Sequence, residues 1–336
     1  MPPTDTAIDT RLNELITDAR TTQLIYVAAK LKLADRLAHG PQPYQALAAA
    51  AGAHPGSLYR LLRALASLGV FAEIGPGQFG LTPLAEGLRA DQPGSLHTLA
   101  LSYGPWWWLP MGHLLQSVLT GETAFNYVSG MDLFEYLSRN PEESAVHDKR
   151  MAAMTAGLTA AILAAYDFSN TRTLVEVAGG QGGLAAAILR TYPQARAILF
   201  DLPSVTAGAR RQLDALGLAD RCETVAGDFF TSVPSQGDTY ILKEILHDWD
   251  DARAANILRN CRQAMGAAKL LVIERLIPPG NGAMAGKMID ISMLVMTGGQ
   301  ERTEAEYAAL FTASGLKLQQ IFPTKAELSV MEAVPT

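Results

Sequence analysis

The chain has 336 residues, 49% of them hydrophobic and 18% charged, with a net charge of −6. That length accommodates two ordinary domains, and the apolar fraction excludes a disordered chain. The acidic balance, with no lysine or arginine cluster beyond pairs such as Arg210-Arg211, excludes an electrostatic footprint for nucleic acid.

Cys222 and Cys261 stand alone, far from any Cys-x-x-Cys spacing, which argues against zinc and against a disulfide framework. The first residues mix acids among bases, and no stretch approaches the roughly 18 uncharged apolar residues of a membrane span. A soluble, cytoplasmic protein is expected.

From Thr10 to Gly104 apolar residues recur at three- and four-residue spacing. This predicts a long helix through "LNELITDARTTQLIYVAAKLKLADRLA", a second in "PYQALAAAAG" and a third in "HPGSLYRLLRALASLG", closed by Gly69. Gly75-Pro76-Gly77 then marks a turn between two short strands. Helix, turn, helix and a two-stranded wing outline a winged helix. The third helix offers only Arg60 and Arg63 beside five leucines, so it suits a partner subunit better than DNA. A homodimer is predicted through the long apolar N-terminal helix and this leucine-rich helix, whose apolar surface exceeds what one subunit covers.

Residues 105–168 read as a helical segment carrying three adjacent tryptophans, Trp106 to Trp108. Side chains so close in sequence point in different directions, which makes Trp107 and its neighbours candidates for an aromatic substrate wall as well as for core. From Thr171 strands and helices alternate: "RTLVEVAGG", "RAILFDLP", "CETVAGDFF", "DTYILKEI" and "KLLVIERLIPP" are apolar runs separated by helical stretches, and "LKLQQIFPT" and "AELSVMEAV" close the sheet. The expected fold class is α/β, a doubly wound, mostly parallel Rossmann-like sheet over 169–336, preceded by a helical winged-helix domain over 1–104.

Ligands of such sheets sit beyond the carboxyl ends of the strands. After the first strand, Glu176 leads into a glycine-rich turn that also fits the dinucleotide pattern from Gly180 to Ala185, with Asp201 about 20 residues on, so a dehydrogenase competes. Three features favour S-adenosylmethionine. Glu176 at the loop would repel a pyrophosphate and attract an ammonium and a sulfonium; Asp228 and Phe229 can receive adenine; and Lys243 to Asp251 place His247 beside the same ligand. Asp250 and Asp251 are expected mainly to start the next helix.

The motifs "LFDLPSV", "GDFF", "LKEILHDWDD", "VIERLIPP" and "QERTEAEY" occur in order at family-like intervals. Residues 174–302 thereby closely resemble the small-molecule O-methyltransferases, which include caffeic acid, hydroxyindole and antibiotic-tailoring enzymes, and the N-terminal half resembles their dimerisation domain. The resemblance implies that Ala178 and Gly180 line the methionine part of S-adenosylmethionine, Asp201 the ribose, Asp228 and Phe229 the adenine, with Lys243 alongside. His247 corresponds to the general base, Glu274 and Glu301 to its flanking acids, and Met151 and Met293 to residues that sandwich an aromatic acceptor. No metal is expected, magnesium on the Asp248–Asp251 acids being the weaker alternative.

Two departures stand out: Glu176-Val177-Ala178 replaces the usual Asp-Val-Gly, and His147-Asp148 the usual Phe-Asn. Because alanine avoids glycine-only backbone regions, an ordinary conformation is expected at Ala178. Transfer of a methyl group to a hydroxyl of an aromatic or polyketide-type molecule, releasing S-adenosylhomocysteine, is the expected reaction. The alternatives are N- or C-methylation, hydroxylation or rearrangement on the same fold, or a metabolite-sensing regulator. An unperturbed imidazole would take a phenol proton uphill by roughly 5 kcal/mol, so a carboxylate from Glu274 or Glu301 must raise its basicity or transfer must be concerted.

Overall fold

The N-terminal periodicity resolves into separate helices instead of one: Asp5–Thr17, Ala19–Lys30 and Leu33–Leu37. Lys32, in the left-handed region at φ 51°, ends the continuous run. Helices Tyr44–Ala51 and Pro55–Ser67 follow, and Gly69 at φ 74° closes the latter as a left-handed cap. Strands β1 (Gln42–Pro43), β2 (Phe71–Gly75) and β3 (Gln78–Leu81) form a three-stranded antiparallel sheet in the order β1-β3-β2. Strand β1 carries no pattern that its two residues could reveal.

These observations come from a computed structural model that describes residues 5–282 and 284–336. The chain divides into Met1–Trp108 with Ala145–Arg150, and Leu109–Ser144 with Met151–Thr336. Residues 105–168, read above as one segment, are thus shared between the two units. In the first unit Leu58, Leu62 and Leu65 are buried against Leu33, Leu47 and Phe79. The leucine-rich helix therefore turns Leu58, Leu62 and Leu65 inward, and leaves Leu68 at its end 45% exposed. The N-terminal helix, the other part of the expected interface, exposes Leu12, Leu15 and Ile16, at 55%, 55% and 69%.

The second unit is a seven-stranded sheet of β4 (Thr173–Val177), β5 (Arg196–Asp201), β6 (Cys222–Ala226), β7 (Thr239–Lys243), β8 (Lys269–Arg275), β9 (Leu316–Pro323) and β10 (Leu328–Pro335). Its order is β6-β5-β4-β7-β8-β10-β9; the first five strands are parallel, and β10 runs antiparallel to both neighbours. Pleating sends Val175, Tyr240 and Val272 to one face, under helices Asp251–Met265 and Glu304–Ala313. Leu174, Ile241 and Leu271 go to the other, under Gly183–Thr191 and Pro203–Ala215. Among the described residues no helix is long and apolar enough to cross a membrane. Strand order reverses at β4, flanked by β5 and β7, so a crevice opens at its carboxyl end.

Candidate active site

The turn after β4 departs from expectation at Ala178, whose φ is 55°. A left-handed alanine costs roughly 1–2 kcal/mol, and the turn holds it there through its N–H, which donates to the Phe200 carbonyl at 2.7 Å. Gly179 is the position that tolerates no side chain: a Cβ would lie 2.2 Å from Leu199 Cδ1 and 2.8 Å from the Glu176 carboxyl carbon. At Gly180 the same test meets only open space, and its N–H donates to Asp201 Oδ2 at 2.8 Å. Asp201 Oδ1 accepts from the Leu202 N–H at 2.7 Å, so this carboxylate joins the ends of β4 and β5.

Glu176 does not stand open at the loop mouth. It is 2% exposed, and its Oε2 accepts the Ala185 N–H at 3.0 Å, in the first turn of helix Gly183–Thr191. Burial pushes its carboxyl up to about 7; the Lys243 charge and the Ala185 N–H oppose this, and Asp201 adds to it. A carboxyl raised in the folded state contributes stability that is present below its unfolded pKa and lost as pH rises toward 7. Glu176→Gln is therefore expected to melt like the parent at pH 5 and several degrees higher at pH 8, in scanning calorimetry of the ligand-free protein. Equal melting shifts at both pH values would contradict this.

After β6, Asp228 is exposed; its Oδ1 accepts the Phe230 N–H at 2.8 Å, and its carbonyl accepts the Thr231 N–H at 2.9 Å. The resulting turn sets the half-buried Phe229 ring edge-on to Phe230 at 4.8 Å. After β7, Lys243 Nζ donates to Glu244 Oε2 at 2.8 Å, and Arg275 donates to Glu244 Oε1 at 2.7 Å. Burial raises the Glu244 carboxyl, but the two cations outweigh it and hold it at about 2.

His247 lies in a single 3-10 turn, Leu246–Asp248, and is 8% exposed. Its Nδ1 is hydrogen-bonded to Glu301 Oε1 at 2.8 Å and lies 3.7 Å from Glu274 Oε2, while Nε2 is 3.9 Å from Asp248 Oδ1. The contact left open by the sequence is thus made by Glu301. Glu274 serves the backbone instead, its Oε1 accepting the Ile245 and Leu246 N–H groups at 2.9 Å each. Burial alone would lower the imidazole, but Glu274, Asp248 and Glu301 overcome it and raise it to about 10. The Glu274 carboxyl is itself raised to about 7 by burial, against the pull of His247. Ligand atoms of His247, Glu274 and Glu301 lie within 4.8 Å of one another, a spacing a metal ion could also use.

The neighbouring acids differ in role. Asp250 caps helix Asp251–Met265 through the Arg253 N–H at 2.8 Å. Asp251 is the first residue of that helix, as expected, and its side chain also accepts from Gln300 Nε2 at 2.8 Å and Arg302 Nε at 2.9 Å. Asp290 accepts the Glu301 N–H at 2.8 Å.

The proposed acceptor residues belong to different units. Trp107 lies in the first, with its ring edge-on to Tyr103 at 4.3 Å; His147 lies there too, its imidazole lowered to about 4 by burial and Arg150, edge-on to Trp106 at 6.4 Å. Met151, 36% exposed, and the half-buried Met293 lie in the second.

Two contributors have roles with no signature in the sequence. Gly299 approaches the His247 turn so closely that a Cβ would stand 2.0 Å from the His247 carbonyl oxygen. Arg302 is 1% exposed beneath that turn. A glycine pair after a helix reads as an ordinary terminator, and an arginine beside acids as surface.

A glycine turn at the switch point of the β6-β5-β4-β7-β8-β10-β9 sheet, with a carboxylate-backed histidine one strand away, is the arrangement of a methyltransferase-class α/β enzyme. Residues 111–317 match the O-methyltransferase domain and residues 13–91 the O-methyltransferase dimerisation domain, so the chain belongs to the O-methyltransferase family. It is 46% identical to the phenazine O-methyltransferase PhzM of Lysobacter antibioticus, over 96% of this chain and 95% of that one. It is 37% identical to the mitomycin biosynthesis 6-O-methyltransferase of Streptomyces lavendulae, over 95% and 92%. The crystal structure of LaPhzM superposes with a TM-score of 0.94 over 98% of this chain and 99% of that one, at 46% identity. NcsB1, an O-methyltransferase from neocarzinostatin biosynthesis solved with S-adenosylmethionine and 2-hydroxy-5-methyl naphthoic acid, is 34% identical with a TM-score of 0.88 over 96% and 98%. The relatives also include the phenazine-1-carboxylate N-methyltransferase of Pseudomonas aeruginosa, 31% identical over 96% of each chain.

Proposed function

We propose that this enzyme methylates a hydroxyl on a fused aromatic ring system, such as a hydroxyphenazine, using S-adenosylmethionine and His247 as general base. The observation that carries the reading is the buried His247 imidazole on Glu301 at 2.8 Å, because a hydroxyl acceptor, unlike a tertiary ring nitrogen, must lose a proton. The 46% identity to a phenazine O-methyltransferase supports the acceptor class. The first unit, which includes the matched dimerisation domain, would pair two copies through the face bearing Leu12, Leu15 and Ile16.

The residues at the strand ends fit an adenosyl ligand. Space is open in front of Gly180, carboxylates from Asp201 and Asp228 suit ribose hydroxyls and an adenine amine, and Phe229 can cover the base. Nothing along 178–183 is cationic, and Lys243 is engaged with Glu244, so a pyrophosphate is poorly served. Ala178 and Gly180 would take the methionine end, with Lys243 and Glu176 beneath. When bound, S-adenosylmethionine supplies an electrophilic methyl carbon and a positive charge that weakens the hold of His247 on its proton. His247 then accepts the hydroxyl proton at Nε2 while Nδ1 stays bonded to Glu301, and Met151 and Met293 serve as adaptable contacts for the acceptor ring.

The second reading, N-methylation, is favoured by the N-methyltransferase relatives. The deciding experiment is a mass-spectrometric screen with S-adenosylmethionine against hydroxyphenazines, naphthols and phenazine-1-carboxylate. O-methylated products are expected, at rates unchanged by EDTA. N-methylated products alone would replace the first reading by the second, and loss of rate in EDTA restored by magnesium would overturn the metal-free mechanism.

A further inference from the structure

We propose that Arg302 is the positioning residue that holds His247 against Glu301, an assignment that rests on His247 being the base. Its guanidinium lies under the 3-10 turn and reaches both ends of it: Nη1 donates to the Leu246 carbonyl at 2.9 Å, and Nη2 to the Trp249 carbonyl at 2.8 Å. Nη1 also meets the Gln300 carbonyl at 3.3 Å, Nε meets Asp251 Oδ1 at 2.9 Å, and the Tyr307 ring backs the group with its centroid 5.9 Å away. The Arg302 main chain follows directly on Glu301 and is itself pinned, its carbonyl accepting the Ile277 N–H at 3.0 Å. One side chain therefore fastens the turn that carries the imidazole to the segment that carries its nearest carboxylate.

Only a planar fork of fixed donors serves three carbonyls and a carboxylate at once; an ammonium cannot span the turn. The Asp251 side chain is 70% exposed, so the ion pair is the lesser part and the buried carbonyls the greater. Without the guanidinium the turn keeps the Glu274 bonds to the Ile245 and Leu246 N–H groups but loses its hold at the carbonyls, so His247 swings off Glu301 while keeping Glu274 and Asp248 as neighbours, with Glu244 and Arg275 behind them.

The test is a pH titration of the full-length protein labelled with ¹⁵N-histidine and saturated with S-adenosylhomocysteine, comparing the parent with Arg302→Lys and Arg302→Met. Of the six histidines, His247 is the signal absent from His247→Gln. In both variants the His247 pKa is expected to fall by about one unit or more. The other five signals should stay in place, and affinity for S-adenosylhomocysteine should change less than about threefold. With an accepted hydroxyphenazine, kcat should drop at least about tenfold with little change in KM. An unchanged His247 titration overturns the proposal, as does a joint displacement of all six signals, which would mean a general folding role; if the methionine variant does not fold, the lysine variant decides. A parent that methylates no hydroxyl while the His247 shift is observed refutes the acceptor assignment and leaves the positioning role standing.

Discussion

His247→Gln is expected to slow methyl transfer to a hydroxyphenazine by about 10²- to 10⁴-fold, with affinity for S-adenosylhomocysteine essentially unchanged. Glutamine can still donate to Glu301, so the buried carboxylate keeps a partner and the turn keeps its shape, but it has no site that accepts a proton at neutral pH. The three acids around the imidazole raise it to about 10, which brings its basicity level with a phenol near 10 and removes most of the uphill cost an ordinary imidazole would face. The same acids keep its proton on in the ligand-free enzyme. Because only the neutral imidazole accepts a proton, the parent rate should climb as pH rises through the pKa of His247 in the ternary complex. That limb should be missing in the variant. A His247→Gln enzyme with full rate and intact binding would remove the base from the mechanism.

Gly299→Ala should be nearly as damaging although the residue touches no reactant. Its Cβ would sit 2.0 Å from the His247 carbonyl oxygen, 2.4 Å from the Asp248 carbonyl carbon and 2.6 Å from the Trp249 nitrogen. All three are main-chain atoms, so no rotamer relieves the clash and the turn itself must move. A displacement of about 1 Å at a catalytic group costs on the order of 10² in rate, and the strain should also lower the melting temperature by several degrees. Gly286→Ala is the control, since a Cβ there meets open space. Parent-like turnover in Gly299→Ala would show that the close packing of Gly299 on the turn does not position His247.

The parallel sheet and its ligand edge were legible because apolar β-branched runs alternate with helical stretches, and because the residues that follow each run are chemically distinctive. His247, Asp201 and Asp228 could be located from strand ends alone. Glu274 and Glu301 could be paired with His247 only through family resemblance, since nothing local says that residues 27 and 54 positions downstream return to one imidazole. The choice between them depends on rotamers: Glu301 faces Nδ1, whereas Glu274 is drawn to two backbone N–H groups. Ala178 shows the converse limit. Residue type argued against a left-handed backbone, and tertiary hydrogen bonding imposed it. Arg302 stood inside the quoted motif "QERTEAEY", but its role, like that of Gly299, was unread because both act on main-chain atoms, which carry no sequence.

The residues proposed to face the cofactor stand at the ends of β4, β5 and β6 with Lys243 at the end of β7, and the proposed proton-handling cluster stands at the ends of β7 and β8 together with residues 299–302. The two groups meet at the end of β7, which pairs with β4. A substitution in one group therefore need not disturb the other. On the proposed roles, a shift from oxygen to nitrogen asks for change in the proton-handling group alone and leaves the methyl donor's cradle as it stands.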